Sequence, residues 1–313
     1  MFDRSSASDL WVITCYFNPG NYQRRLANFR EFRRRLAAPL VAVELAFDGP
    51  FELSPSDADV LVRLRGGAVL FQKERLLNIA WRHLPPRAEK IAWLDADVFF
   101  ETEEWISATV KRLDDFPVVM PYSRVAELRR DTPVRATPAL TDCDLGYSLL
   151  HRWNSGELLP GVLQSNMRLA RTNAGLAWAC RRDAFEGIGF YDACVAGSGN
   201  RAILGAALGH IDDTIAYLRM SDRWAEHYRN WAHRHFDRVQ GRIGSVDATV
   251  FHLWHGDLER RRYSGRHQEF AKYAFDPGCD IGSHASGCWA WSSEKPQMHE
   301  FLRRYFVERR EDG

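Results

Sequence analysis

The sequence predicts an α/β fold: an open, mostly parallel sheet flanked by helices. Three observations predict it. Apolar strand-like runs alternate with amphipathic helical stretches from Leu10 to Met120, the pattern of successive β–α–β units with the sheet covered on both faces. The runs Leu10–Phe17 (LWVITCYF) and Ile91–Leu94 (IAWL) are almost wholly apolar, as buried strands are. The second of them runs directly into Asp95-Ala96-Asp97, and the open end of an α/β sheet is where ligands bind.

Taken in order, Leu10 to Phe17 is a first strand, stopped by Asn18-Pro19-Gly20-Asn21. Proline fixes φ there and glycine permits positive φ. Tyr22 to Leu36 is a helix with Leu26, Phe29, Phe32 and Leu36 as its apolar stripe and arginines opposite. Leu40 to Phe47 is a second strand ending at Asp48-Gly49, and Val60 to Leu64 a third. Phe71 to His83 is helical, Ile91 to Leu94 a strand, Trp105 to Leu113 a helix and Pro117 to Met120 a strand. Tyr122 to Asn173 changes character, with Pro133, Pro138 and Pro160, many polar residues and little periodicity. It reads as a long functional loop. Leu176 to Cys180 is a strand and Arg182 to Glu186 a short helix. Val195-Ala196-Gly197-Ser198-Gly199-Asn200-Arg201 is a tight loop opening a helix at Ala202. Arg223 to Arg238 is an aromatic-rich helix, Thr249 to Trp254 a late strand, and Gln297 to Arg310 a polar helix.

The chain has 313 residues, 45% hydrophobic and 27% charged, with a formal net charge of +1. That length suits one large domain with an appendage, drawn here as 1–275 (a first half about 8–120, a second about 121–275) and a C-terminal extension, 276–313, packing on it. The near-neutral charge gives no argument for nucleic acid or an anionic membrane. No Gly-x-Gly-x-x-Gly or Walker loop follows the first strand, so neither a dinucleotide fold nor a P-loop NTPase is supported. The cysteines (Cys15, Cys143, Cys180, Cys194, Cys279, Cys288) show no zinc-site spacing. No apolar run approaches a membrane span, and the first residues lack a signal-peptide apolar region; a soluble, cytoplasmic chain is the expectation.

Asp95 and Asp97 start on the same side of an extended backbone. Paired carboxylates at a strand end suit a hard divalent cation such as Mg2+ or Mn2+ together with phosphate oxygens, although Asp-x-Asp alone also fits a solvated turn. Lys73, Arg75 and Asn78 lie near a helix start, where cations meet a diphosphate or a base; a solvated amphipathic helix explains them equally. His252 and His255 flank the end of the late strand. Strand alternation puts them on opposite faces, so one of them is expected as a ligand. Trp178 offers a ring to stack on a sugar, or simply packs in the core.

In order along the chain, these pieces resemble the GT-A glycosyltransferases, in particular the β-1,4-galactosyltransferase-like branch and related bacterial family-2-type enzymes. Phe71-Gln72-Lys73-Glu74-Arg75-Leu76-Leu77-Asn78-Ile79-Ala80 looks like that branch's Phe-Asn-Arg-Ala-Lys-Leu-Leu-Asn-Val-Gly segment. Asp95-Ala96-Asp97 stands at its metal-binding Asp-x-Asp, and His255-Gly256-Asp257 at its late metal-site histidine. Asn173 to Phe185 is similar to its acceptor-side Gly-Gly-Val-x-Ala-Leu segment. The resemblance covers roughly 10–270. It implies a metal-dependent, inverting transfer of a hexose or N-acetylhexosamine from a UDP-type sugar donor to a hydroxyl of a glycan, lipid or protein. It further implies Asp97 and His255 (His252 as the alternative) on Mn2+ or Mg2+, and Asp95 beside them or on the ribose. Thr14, Phe17, Asn18, Asp48, Lys73, Arg75 and Asn78 would frame the donor and Trp178 the acceptor, with Tyr122 to Asn173 as acceptor surface or lid. One departure stands out. The branch's Gly-Gly-Glu-Asp-Asp loop carries the general base, and here Asn200 holds the expected position; an amide cannot accept a proton as a carboxylate does. Asp192 is the nearest replacement, then Asp144. A catalytically weak or inactive nucleotide-sugar or glycan-binding module of the same fold is the alternative. A sugar nucleotidyltransferase ranks below both, since Cys15 to Gly20 carries no basic glycine-rich loop.

Overall fold

The computed structural model describes residues 9–134, 136–157, 171–262 and 265–313. The initial residues Met1–Ser6 and Pro160 of the expected loop lie outside them. The elements run β1 (Trp11–Phe17), α1 (Gln23–Arg35), β2 (Leu40–Ala46), β3 (Val60–Arg65), α2 (Lys73–Arg82), β4 (Lys90–Leu94), β5 (Val98–Phe100), α3 (Glu104–Asp115) and β6 (Val118–Met120). Then come β7 (Arg124–Glu127), β8 (Asp144–Ser148), α4 (Leu149–Asn154), β9 (Thr172–Asn173), β10 (Ala177–Arg181), α5 (Gly199–Leu208), α6 (Ile211–Leu218) and α7 (Asp222–Val239). The chain continues with β11 (Ile243–Ser245), β12 (Thr249–His252), α8 (Gly265–Phe270), α9 (Pro277–Asp280), β13 (Ile281–Ser283), β14 (Trp289–Trp291) and α10 (Pro296–Glu308).

The fold is α/β. A seven-stranded sheet has the order β11-β6-β10-β4-β1-β2-β3. β1 is parallel to β2 and β4, β2 to β3, and β11 to β6. β10 alone in this sheet runs against its neighbours β4 and β6. The apolar runs read from sequence are its centre: every residue of β2 is buried, and β1 is buried throughout except at Cys15. Trp93 on β4 faces Trp178 on β10, their rings stacked 6.0 Å apart. α7 packs with Trp224, Tyr228 and His235 buried, so its aromatic face is core. All six cysteines are free thiols, and no helix among the described residues is long and apolar enough to cross a membrane.

The segment Tyr122 to Asn173 departs from the expectation of a loop. It contributes β7, β8 and β9 to a second sheet of order β5-β12-β7-β8-β9. These strands have two to five residues, too short to show a period, and β12 joins them from far along the chain. Of this segment, Arg135 and 158–170 lie outside the described residues.

Two backbone contacts place the Asp95–Asp97 turn. Asp95 N donates to Leu176 O (2.8 Å) and Leu253 N to Asp97 O (2.8 Å), so the turn is pinned between the entry to β10 and the exit from β12. The C-terminal residues pack beside the same turn. Met298, Phe301, Leu302, Tyr305 and Phe306 of α10 join the main core. Asp312 accepts from Gln23 N (3.1 Å) and Arg24 N (2.8 Å), supplying the first turn of α1 with the acceptors that no local side chain gives it.

Candidate active site

A cleft of about 310 Å³ opens at the C-terminal ends of β1 and β4. Its first wall is built from the Asp95–Asp97 turn, the end of β12 and the C-terminal residues. Asp97 Oδ2 lies 3.0 Å from His255 Nε2, and its other carboxylate oxygen 3.8 Å from His252 Nε2. The two Nε2 atoms are 3.1 Å apart. The expectation that only one histidine reaches the site is corrected. β12 stops at His252, so strand alternation no longer governs Leu253-Trp254-His255, and the chain swings the second imidazole back beside the first.

The arrangement fits a cation. Asp97, His252 and His255 each offer a ligand atom within 4.8 Å of the others. Asp97 Oδ1 is buried without a hydrogen-bond partner among the described residues. His252 Nδ1 sits 2.5 Å from Glu127, and His255 Nδ1 is 3.8 Å from Glu311, with an Arg309 nitrogen at 3.5 Å, the outer limit of a hydrogen bond. The Glu127 carboxylate at His252 Nδ1 favours the tautomer with its proton there and the lone pair on Nε2, whereas the Arg309 guanidinium can only donate to His255 Nδ1. Carboxylates behind ligating histidines are the usual support of such a centre. Burial raises Asp97 above the ordinary carboxylate range. Burial opposes a charge on His252, but Glu127 and Asp97 lift it above the usual imidazole value. Burial and Arg261 push His255 well below it. Glu311 is buried, yet Arg25 and Arg309 (2.6 Å) hold it well below the usual range.

The second wall comes from α2, β1 and the start of α5. Lys73 Nζ makes an ion pair with Asp95 and lies 3.4 Å from Asn200 Oδ1. Thr14 lines the floor and donates to Leu94 O (2.7 Å); Phe17 lines it too. Glu74 is buried and lines the cleft. Burial, only partly offset by Lys73, raises its carboxyl to about 7. A Cβ at Gly199 would stand 2.1 Å from the Glu74 carboxyl carbon, so α5 must begin with glycine for that carboxyl to lie where it does. Among the described residues lining the cleft, six arginine or lysine side chains face four carboxylates, a balance suited to a polyanion.

Several expected residues lie elsewhere. Arg75 pairs with Asp192 (3.3 Å), donates to Gly287 O (2.7 Å) and stacks on Trp289 (4.0 Å). Asn78 donates to Asp192 Oδ2 (3.2 Å) and Phe190 O (3.0 Å). These three join α2 to the C-terminal hairpin β13–β14, outside the cleft. Arg75 and Asn78 are three apart on one face of α2 and Lys73 lies away from it, while Glu74, four before Asn78, sits at the border between that face and the cleft. Asp192, engaged by Arg75 and Asn78, is not among the residues lining the cleft. Asp48 is exposed at the end of β2, and Asn18 is engaged with Glu52 (3.0 Å) and Tyr22; neither lines the cleft. Asp144 is exposed at the start of β8. Trp178 is 1% exposed and donates to Ala174 O (3.1 Å); it presents no ring face to a sugar. Sequence reasoning passed over Glu74, Glu127 and Glu311. Only Glu74 left a signal: an acidic residue on the buried side of a helix, opposite a Gly-Ser-Gly turn.

No protein-family model matches the chain, and no curated protein does. Solved structures resemble it at low identity. The crystal structure of S. aureus TarS 1-349 matches over 78% of this chain and 60% of its own, with 10% identity and a TM-score of 0.37. The mannosyltransferase PcManGT from Pyrobaculum calidifontis, in complex with GDP-Man and Mn2+, matches over 97% and 71%, with 16% identity and a TM-score of 0.39. M. tuberculosis glucosyl-3-phosphoglycerate synthase matches over 93% and 90%, with 9% identity and a TM-score of 0.35. The chain thus spans about 60% of the length of the TarS structure.

Proposed function

We propose that this chain is a metal-dependent glycosyltransferase of the GT-A type, moving a hexosyl or N-acetylhexosaminyl group from a nucleotide-diphosphate donor, a UDP-sugar, to an acceptor hydroxyl with inversion. The observation that carries the reading is the convergence of Asp97, His252 and His255 at the end of a parallel strand, in the same cleft as Lys73, Asp95 and a surplus of cations. Asp97, His252 and His255 would hold the ion; two imidazoles and one carboxylate suit Mn2+ better than the all-oxygen preference of Mg2+. When bound, it supplies a positive charge that steadies a diphosphate leaving group. Lys73 orients Asp95 toward the donor side. Thr14 and Phe17 floor the nucleotide end, and Thr172 to Gly175 border the cleft on the acceptor side. The acceptor is a hydroxyl of a glycan, lipid or protein.

Thermal unfolding against UDP-glucose, UDP-N-acetylglucosamine and GDP-mannose, each with Mn2+ and with EDTA, tests the reading. A ligand that binds only the native state raises the midpoint by mass action. A rise for one donor that EDTA abolishes is expected; no rise with any donor sinks the assignment. The second reading, a binding module without turnover, is favoured by Asn200, whose amide faces Lys73 where a carboxylate would be needed. It predicts the same thermal shift and no release of nucleotide.

A further inference from the structure

The cleft holds four carboxylates among its described lining residues, and three are committed. Asp95 is paired with Lys73. Asp97 belongs to the histidine cluster. Glu311 is clamped by Arg25 (2.9 Å) and Arg309. Glu74 is the fourth. We propose that Glu74, reaching from α2 into the space left by Gly199, is the general base that takes the proton of the attacking hydroxyl. This rests on the transferase reading above.

The geometry supports the role in three ways. The carboxyl is buried, 4% exposed, yet borders the cleft. Its space exists only because residue 199 has no side chain. Lys73, the nearest cation, spends its hydrogen bonds on Asp95 and Asn200, so it tempers the charge on Glu74 without neutralising it. The other groups that face Glu74 are Cys15 on β1, Asp95 on the turn after β4, and Asp192 and Cys194 before α5. The acids among them disfavour its charge, and its carboxyl titrates at about 7, the range in which a base both sheds and accepts protons at neutral pH. In the step, the hydroxyl oxygen bonds to the anomeric carbon. The bond from that carbon to the diphosphate oxygen breaks, its electron pair leaving with the diphosphate. The hydroxyl proton passes to Glu74, which returns it to solvent.

The test measures release of free nucleoside diphosphate from the same three donors with Mn2+ and water as acceptor. Donor Kd and the unfolding midpoint are measured alongside. Glu74→Gln is expected to lower kcat by roughly 10²–10⁴-fold, to leave Kd within about threefold, and to remove the rising limb of kcat/KM near neutral pH. Where Glu74→Gln does not fold, the relocated carboxylate of Glu74→Ala with Gly199→Glu carries the test: restored release supports the role, and a folded variant without release overturns it. A kcat within about fivefold of the parent, a pH limb that survives Glu74→Gln, or a loss matched by Kd also overturns it. A parent chain that binds no donor overturns the transferase reading instead. Binding without any release by the parent chain likewise overturns the transferase reading in favour of the binding module, whereas parental release that survives Glu74→Gln overturns Glu74 alone.

Discussion

The two walls of the cleft both bury carboxylates, and they treat them differently. On the histidine wall Glu127 is held by His252 and Glu311 lies between Arg25 and Arg309, while Asp97 stands against two imidazoles with one oxygen unpaired. On the α2–α5 wall, Glu74 has a lysine nearby that is engaged with another acid. The first wall keeps Glu311 charged between two arginines. The second leaves a carboxyl whose proton comes and goes near neutrality, because a buried charge that is not fully paired is disfavoured.

Substitutions separate the walls. The largest effect belongs to Asp97→Asn, which should weaken Mn2+ binding by more than about 100-fold, since even a residue supporting a ligand is worth about 10–100-fold; calorimetric titration with Mn2+ reads it, and near-parental affinity would detach Asp97 from the histidine wall. Next comes Glu74→Gln, read as stability. Burial raises the folded carboxyl from 4.5 to about 7, so its contribution is fully present below about pH 4.5 and disappears as pH rises through about 7. The amide has no such loss. Denaturant unfolding at pH 8 should therefore find Glu74→Gln more stable than the parent by on the order of 3 kcal/mol, with the gap closing toward pH 4.5. A constant gap across that window would mean that Glu74 is paired after all. Glu127→Gln should cost the Mn2+ affinity about 10–100-fold, less than the loss of a ligand, while donor-free stability changes little. The smallest effect on the cleft is that of Arg75→Ala. It strands Asp192 and should cost about 1–3 kcal/mol of stability, yet leave Mn2+ and donor affinity unchanged. Altered donor binding in that variant would return Arg75 to the site.

Much of the first wall is legible in sequence because its signals are local. An apolar strand running into Asp95 and Asp97 is visible by eye, and so is a late strand ending in histidines. What could not be read is how far strand geometry extends: two residues of non-strand backbone after His252 decide that both imidazoles converge. The second sheet was hidden because β7, β8 and β9 are short, and β7 pairs with β12 more than a hundred residues away, as between Arg124 and Thr249. Glu74 sits among charged neighbours on an amphipathic helix, and one residue's burial there depends on Gly199 and Cys194 arriving from elsewhere. The same helix misled in the other direction. Arg75 and Asn78 look like donor-binding residues in the Phe71–Ala80 segment, but Arg75 turns to the C-terminal hairpin and Asn78 to Phe190 and Asp192. Trp178 looked like a sugar platform and is a partner for Trp93.

The bond between Arg25 and Glu311 joins residues 286 positions apart, and Asp312 caps the helix that carries Arg25. On the ribosome this has a temporal consequence. Asp97, His252 and His255 all emerge before the acid beside the second imidazole, and α1 waits for its acceptors until Asp312 has emerged. A nascent chain therefore carries Asp97 and the two histidines before their frame, and the cleft is complete only when the two distant parts of the polypeptide close on each other.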